Sequence, residues 1–377
     1  MNKKEILEIK KQFTPVNCAI TRICGCYVDH EKNKKLQTKE AFLSLPEEEA
    51  FKYFDIFRKT LSGSIGKNLL NLNYSIDKED SNHPHGLLMD LRESKLQDDT
   101  LLDLFYDSVI ENYDYNENYY IILIHGMYDI PGKSSDGVEM FDASDEVYEF
   151  ILCSICPVKL SKAGLSYDVQ SNKIEDRVRD WIVDKPDKGF LFPAFNDRST
   201  DIHSALYYTR KSDEIQPEMI ENVLGAEMVT SADVEKDLFL HLIEDVLGDK
   251  CDFDTVRNIH EILNDLVEDY KDSSEPLSLD KSDIRKIFED SRVPEKCMDK
   301  FDSEFDFTFG RRKSVLATNI AETKGFSVKT PDVTIKISPD RADLVETMVI
   351  NGRQCIVLAA DDHVTVNGIE ARTVKQK

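Results

Sequence analysis

The sequence predicts an α/β (α+β) fold in which a central mixed sheet is flanked by helices. Three apolar runs between Tyr119 and Tyr208 are separated by clusters of Gly, Pro and Asp, as in a buried sheet with polar loops. An acidic helical segment and a small C-terminal antiparallel β element are predicted to follow. The predicted regions are 1–115 (strand and helix), 116–230 (central α/β sheet), 231–306 (acidic helices) and 307–377 (β element).

The N-terminal region begins with a predicted helix over residues 3–13, which places Ile6, Ile9 and Phe13 on one face. Residues 17–29 are rich in β-branched side chains and cysteine, which favours a strand. Ser44 and Glu47 have capping-box spacing, and aromatic and aliphatic residues then recur at helical spacing as far as Leu69.

The chain around the sheet is predicted to contain a short strand at Leu87–Leu91 and a helix at Thr100–Tyr113. After the third apolar run, the sequence NDRST turns into a predicted helix at Asp201–Tyr208. Ser199 or Thr200 would cap its first turn.

The acidic segment contains 10 Lys/Arg against 23 Asp/Glu over residues 231–306. Its apolar residues have helical periodicity in two long stretches, 231–248 and 253–270, and in two shorter ones near Ile284–Phe288 and Met298–Phe305. Beyond it, Asn351-Gly352 and Asn367-Gly368 are typical of two-residue turns in β-hairpins.

Composition restricts the class of protein. The 377 residues are 41% hydrophobic, as in globular proteins, and no apolar run approaches the ~20 residues that cross a bilayer. The N-terminus is charged rather than signal-like, so eight reduced cysteines in a soluble cytoplasmic protein are expected. The net charge of −24 disfavours coating of nucleic acid by the whole surface, although both ends of the chain are mildly basic.

The densest polar cluster follows the third apolar run. Asp197, Asp201 and His203 could ligate a metal in a metal-assisted hydrolase, with Arg198 orienting an anionic group. The alternative is structural: capping accounts for Ser199, Thr200 and Asp201, and Arg198 pairs with Asp197. His125 and Asp129 would face the same loop if the strands were parallel.

The cysteines are predicted to be structural thiols. Cys153-x-x-Cys156 has the spacing of half a zinc site, but residues three apart in a strand face opposite sides of the sheet. Cys24 and Cys26 share a strand face, without a second chelating pair. We therefore expect no metal and no cofactor.

A third candidate site lies near the C-terminal β element. Alternating aromatic residues precede a basic triplet, and such residues could stack on bases and hold phosphates. The alternative is the buried face of a strand followed by a solvated end. The residues are Phe305, Phe307, Phe309, Arg311, Arg312 and Lys313.

Four stretches of sequence resemble an uncharacterised bacterial family common in Firmicutes, which we take to be domain-of-unknown-function family 4317. They read FTPVNCAITRICGCYVD, LSLPEEEAFKYFDIFRKTLSGSIGKNLLNL, SSDGVEMFDASDEVYEFILCSICPV and GFLFPAFNDRSTDIHSALYY. The resemblance covers essentially the whole chain and implies no function.

The order of elements also resembles the NdpA/YejK nucleoid-associated family. The similarity lies in a helix leading into an aromatic-rich strand at DDTLLDLFYDSVIENYDYNENYYIILIHGMYD, and in ENVLGA before the acidic helices. That family is cytosolic, acidic and associated with the nucleoid and with topoisomerase partners. This resemblance carries over no functional residue.

These observations favour a non-enzymatic binding or scaffold factor of the bacterial cytoplasm, and the second resemblance implies that it is nucleoid-associated. Its expected partners are a basic protein surface such as a topoisomerase, or DNA contacted through Arg311, Arg312 and Lys313. No membrane contact is expected, and a homo-oligomer is possible. The alternatives are the metal-assisted hydrolase described above and a ribosome- or translation-associated factor.

Overall fold

The computed structural model describes residues 1–74, 83–133, 139–140, 146–310, 314–323, 325–360 and 364–371. The chain divides into two compact units, Met1–Asp233 and Val234–Lys377. The predicted α/β class is confirmed, with the large sheet in the first unit and a helical core in the second. No helix among the described residues is both long enough and apolar enough to cross a membrane.

The first unit is built on an eight-stranded sheet with the order β2-β1-β4-β7-β11-β14-β3, and β10 pairs separately with β7. Every described pairing in it is antiparallel, so the strand directions differ from the expected mixed sheet. The strands are β1 Ile20–Val28, β2 Lys34–Ala41, β3 Leu69–Asn73, β4 Tyr119–Ile130, β7 Glu146–Leu160, β10 Trp181–Val183, β11 Lys188–Phe192 and β14 Ser204–Thr209.

Short two-stranded ladders surround this sheet. They are β5 Gly132–Lys133 with β6 Glu139–Met140, β8 Leu165–Asp168 with β9 Lys173–Asp176, and β12 Ala194–Asn196 with β13 Ser199–Asp201. Each pairs antiparallel.

Helices cover both faces of the sheet. They are α1 Lys3–Lys10, α2 Glu47–Thr60, α3 Pro84–Glu93 and α4 Asp99–Asn112, with a π-helical turn at Met219–Leu224. α3, α4 and the π turn pack on the face that carries Cys24, Leu123 and Cys153, whereas α1 and α2 pack on the face that carries Ile122, Leu152 and Cys156. The first unit is therefore a three-layer sandwich with two hydrophobic cores, which together supply most of the burial that stabilises it.

Two local predictions in this unit were wrong. Leu87–Leu91 is part of α3 and not a strand, because Pro84 at the first turn and Leu88 and Leu91 at helical spacing favour a helix. The capping box at Ser44 is absent, since Pro46 holds the N-cap position of α2 and the Ser44 hydroxyl donates to the Ala41 carbonyl.

The second unit contains a helical core, as the apolar periodicity of the acidic segment predicted. Its helices are α5 Ala232–Leu247, α6 Phe253–Asp269, α7 Lys281–Asp290, α8 Glu295–Phe309 and α9 Ala317–Ile320. They enclose one apolar cluster that includes Phe239, Leu263, Phe288 and Phe301. Strands β15 Ser278–Asp280 and β16 Ser314–Leu316 pair antiparallel beside it.

The C-terminal β element consists of antiparallel hairpins. Their strands are β17 Phe326–Lys329 with β18 Thr334–Ile337, β19 Val345–Ile350 with β20 Arg353–Leu358, and β21 Val364–Val366 with β22 Ile369–Ala371. Asn351-Gly352 and Asn367-Gly368 occupy the predicted turns with positive φ at both residues, the conformation that Asn and Gly tolerate best.

Candidate functional site

The polar cluster after the third apolar run forms a tight hairpin turn rather than a helix start. Asp197 and Arg198 both have positive φ, 51° and 57°, and join β12 to β13. The predicted helix at Asp201–Tyr208 was wrong: Ser204–Thr209 is strand β14, because its aromatic and aliphatic side chains fit a buried sheet. Ser199 lies in β13 and caps no helix there.

The Arg198 side chain binds Glu8 of α1 and not Asp197. Its guanidinium donates to Glu8 Oε1 at 2.9 Å, and this hydrogen bond raises the pKa of Arg198. The same Glu8 oxygen accepts from the Tyr128 hydroxyl at 2.9 Å, and the Asp197 amide donates to Glu5 Oε1 at 2.8 Å. These contacts bind the hairpin turn to α1, so the Arg198 guanidinium has a structural role there.

Asp201 is held by its neighbours. Burial alone would raise the pKa of Asp201. Hydrogen bonds from Asn196, Ser204 and the His203 amide lower it by more, so the net shift of the pKa is downward. Asn196 Nδ2 donates to Asp201 Oδ2 at 2.6 Å. Across the described residues, no group of three His, Cys, Asp or Glu side chains is placed to hold a metal ion. The catalytic role of Asp197, Asp201 and His203 stays a prediction that this geometry does not support.

His125 is fully buried and belongs to a different hydrogen-bonded chain, which sequence reasoning missed. Its Nδ1 lies 2.6 Å from the Thr21 hydroxyl and its Nε2 lies 2.8 Å from Glu149 Oε1. Burial lowers the pKa of His125, opposed by Glu149 and reinforced by Lys95. In the tautomer that carries its proton on Nε2, His125 donates to Glu149 and its Nδ1 accepts from the Thr21 hydroxyl.

A hydroxyl, an imidazole and a carboxylate in sequence can activate the hydroxyl as a nucleophile. Thr21 has a second acceptor, however, since its hydroxyl also lies 3.2 Å from the His125 carbonyl. These hydrogen bonds therefore also have a simple structural role, because they give both nitrogens of a buried imidazole a partner between β1, β4 and β7.

The cysteines behave as predicted from strand geometry. Cys153 packs into one core of the first unit and Cys156 into the other, on opposite faces of β7. Cys24 and Cys26 share a face, and burial raises the pKa of each to about 12. A thiol whose pKa is raised by burial is protonated at neutral pH and is a poor nucleophile and metal ligand.

A long groove lies on the α2 side of the sheet, and we call it the aromatic groove. One part has a volume of about 680 Å³ and lies between α2 and β10. A second part, of about 370 Å³, continues to β2 and shares Tyr53, Tyr120 and Trp181 with the first. Trp181, the only tryptophan, has 56% of its surface exposed there.

The aromatic groove exists because α2 covers only part of its sheet face. Tyr120 continues the row of Ile122 and Ile124 on β4, but it is only partly buried where it packs against the core on the α2 side. The hydroxyls of Tyr53 and Tyr120 lie 3.5 Å apart across the floor. Burial raises the pKa of Tyr53, as does the nearby Tyr120, so its hydroxyl stays protonated.

The charges of the aromatic groove differ between its two parts. Towards β2 the charged lining residues are Glu40 and Glu49, and within the described residues neither forms an ion pair. Towards Pro186, the lining includes Lys52, Lys59 and Lys185 together with Glu49, which both parts share. Two further carboxylates line this part, and each is paired with a cation other than these three lysines. Those carboxylates are Asp55, bound to Arg58, and Asp184, bound to Lys159 and Arg210.

The basic triplet Arg311, Arg312 and Lys313 lies outside the described residues. The aromatic residues before it belong to α8 and not to a strand. Phe305 and Phe309 are buried in the helical core, whereas Phe307 is 85% exposed. This spacing follows from the helix period, since residues four apart share a face and residue 307 points away.

Comparison with known proteins identifies a family. The family model described as a domain of unknown function, DUF4317, matches residues 1–369. No curated protein matches the chain.

Proposed function

The chain belongs to the DUF4317 family, as its sequence indicated, and from the geometry of this member we propose a non-enzymatic binding factor of the bacterial cytoplasm. The observation that supports the proposal is the aromatic groove lined by Glu40 and Glu49, which form no ion pair among the residues that the structure describes. We propose that its occupant is a basic segment on the surface of a partner protein.

The chemistry of the groove fits a Lys or Arg side chain. A cation over the face of Trp or Tyr is stabilised by about 0.5–1 kcal/mol at exposed sites and by more when it is desolvated. Trp181, Tyr53 and Tyr120 provide such faces, and Glu40 and Glu49 provide countercharge. At the other end, Lys52, Lys59 and Lys185 could form an ion pair with an acidic residue of the same bound segment.

The net charge of the chain also favours a basic partner. A chain of net charge −24 attracts a basic protein at long range, which raises the association rate and makes it sensitive to salt. On the resemblance to the NdpA/YejK family, a DNA-bound protein such as a topoisomerase is one candidate partner. Direct DNA contact through Arg311, Arg312 and Lys313 is part of the same proposal.

The test of the groove uses a defined peptide. We would titrate the full chain with a short peptide of Lys, Arg and apolar residues and follow Trp181 fluorescence, with an acidic peptide of equal length beside it. The basic peptide should bind, and the double variant Glu40→Gln, Glu49→Gln should weaken it by about tenfold or more, equivalent to 1.4 kcal/mol.

The matched control is Glu47→Gln with Glu48→Gln, which removes the same charge from exposed residues in the first turn of α2, the helix that carries Glu49. It should leave the affinity within about twofold. Equal loss in both double variants would show that net charge alone is responsible, and unchanged binding in the groove variant would exclude the groove.

The nucleic-acid part of the proposal has its own test. Retention on DNA is measured across a salt series for the wild type and for Arg311→Ala with Arg312→Ala, and the variant should bind more weakly with a shallower salt dependence. A pull-down from native lysate with and without nuclease then separates tethering by nucleic acid from direct protein contact. Unchanged retention and salt slope would remove DNA contact by these arginines from the proposal.

A further inference from the structure

The segment between β7 and β11 projects a β-hairpin from the first unit, and we call residues 161–183 the arm. Its base is fixed to the body by backbone hydrogen bonds: the Ser161 amide donates to the Asp180 carbonyl at 2.8 Å, and β10 pairs with the end of β7. Beyond that base, β8 and β9 pair only with each other among the described strands.

The hairpin of the arm is amphipathic. The ladder places Tyr167 opposite Ile174, and strand alternation puts Leu165 on the same side. Val169 follows in the turn after β8, and Val178 lies just beyond β9. The opposite side carries polar residues. They are Ser166, Asp168, Lys173, Glu175 and Arg177.

The apolar residues of this hairpin are uncovered in the single chain. Leu165 is 77% exposed, Ile174 64% and Val178 83%, and Tyr167 and Val169 are also largely exposed. A two-stranded hairpin is marginally stable in water, and monomeric proteins rarely expose contiguous apolar surface of this kind. The arrangement indicates that another surface covers these side chains.

We propose that the apolar face of the arm packs against the same face of a second copy of this chain and forms a two-fold symmetric dimer. Charge favours this occupant: residues 161–183 contain four Lys/Arg and four Asp/Glu, in a chain of net charge −24. Two copies repel each other over most of their surfaces, but they can meet at a neutral patch.

Symmetry supports the same conclusion. A two-fold interface must be complementary to itself, and an apolar face meets that requirement because it needs no opposite charge on the partner. The only charged residue within that face of the ladder is Asp176, opposite Leu165. The arm lines the aromatic groove only at its base, through Trp181, Ile182 and Val183. Leu165, Tyr167 and Ile174 do not line it, so dimerisation through this face can be tested separately from the function proposed for the groove.

The experiment measures the mass of the full chain in solution by sedimentation across a concentration series. The wild type should be a dimer. Tyr167→Ser with Ile174→Ser should raise the dimer dissociation constant by at least about a hundredfold, because four apolar side chains per dimer are lost. Since both residues are exposed in the single chain, the variant should fold normally, which circular dichroism checks.

The control variant is Leu43→Ser, which removes a side chain that is 80% exposed outside the arm. It should leave the dimer unchanged. A wild type that is monomeric up to about 1 mM would overturn the proposal, as would a dimer insensitive to the arm variant. Association of a monomeric wild type with lipid vesicles would also overturn it and would assign the face to a membrane surface. Peptide titration of the arm variant should match the wild type, which keeps failure of the dimer distinguishable from failure of the groove.

Discussion

Lys188 offers a direct test of how the first unit is stabilised. Its side chain is fully buried, and its Nζ lies 2.9 Å from Asp187 Oδ2, while the Asp187 side chain is 13% exposed. The Tyr113 hydroxyl donates to the same oxygen at 3.0 Å. Through Asp187, the ion pair therefore links β11 to Tyr113, the residue that follows α4.

The variant Lys188→Met removes the cation and keeps most of the side-chain volume. Removing one partner of a buried ion pair costs about 3–5 kcal/mol, because the other charge is left uncompensated. Asp187 retains the Tyr113 hydroxyl and some contact with water, so we expect about 3 kcal/mol. The double variant with Asp187→Asn removes the stranded charge and should recover to within about 1 kcal/mol of the wild type.

The assay is urea unfolding followed by Trp181 fluorescence. Because Trp181 is the only tryptophan and lies in the first unit, its signal reports that unit alone. Circular dichroism gives the transition of the whole chain for comparison. The reasoning fails if Lys188→Met costs less than about 1 kcal/mol, or if the double variant is no more stable than the single one.

Two further predictions concern the sheet. The folded-state pKa of His125 lies below the ordinary value of 6.5, so its stabilising contribution is present above pH 6.5 and is lost as pH falls through the folded pKa. His125→Asn should therefore flatten the pH dependence of unfolding below that value, by at most about 1.4 kcal/mol per pH unit, and equal slopes would contradict this. Gly189→Ala should destabilise by about 2 kcal/mol or more in urea unfolding, because the added Cβ would lie 2.5 Å from the Cys153 carbonyl oxygen. Gly325→Ala, whose Cβ would be 3.5 Å from its nearest neighbour, is the control and should cost less than half as much.

Periodicity predicted the long elements because their burial pattern is local. The amphipathic helices α5 and α6 and the Asn-Gly turns could be identified from residues close together in sequence. Strand direction could not, because pairing depends on contacts between distant segments. For this reason the sequence did not predict that all described pairings of the sheet are antiparallel. Nor did it predict that His125 contacts Thr21 and Glu149 rather than the turn at 196–203.

The candidate sites were harder to predict for a related reason. The residues Asn196 to Asp201 have the composition of a helix cap, but Asp197 and Arg198 adopt positive φ and make a hairpin. The aromatic groove combines side chains from α2, β2, β4 and β10, so no single stretch of sequence contains it. The sequence analysis did not single out the hairpin of β8 and β9, and its exposure depends on distant segments, since none of Leu165, Tyr167 and Ile174 joins either described core of the first unit.

The position of β3 at one edge of the sheet has a consequence for folding during synthesis. Its only described neighbour in the sheet is β14, and Asn73 and Ser204 are 131 residues apart. At ~5–20 residues per second, the ribosome needs about 7–26 s to add that length of chain. Through that interval the nascent apolar segment Leu69–Leu72 lacks its pairing strand, so this stretch is where a chaperone holding the growing chain would have most to protect.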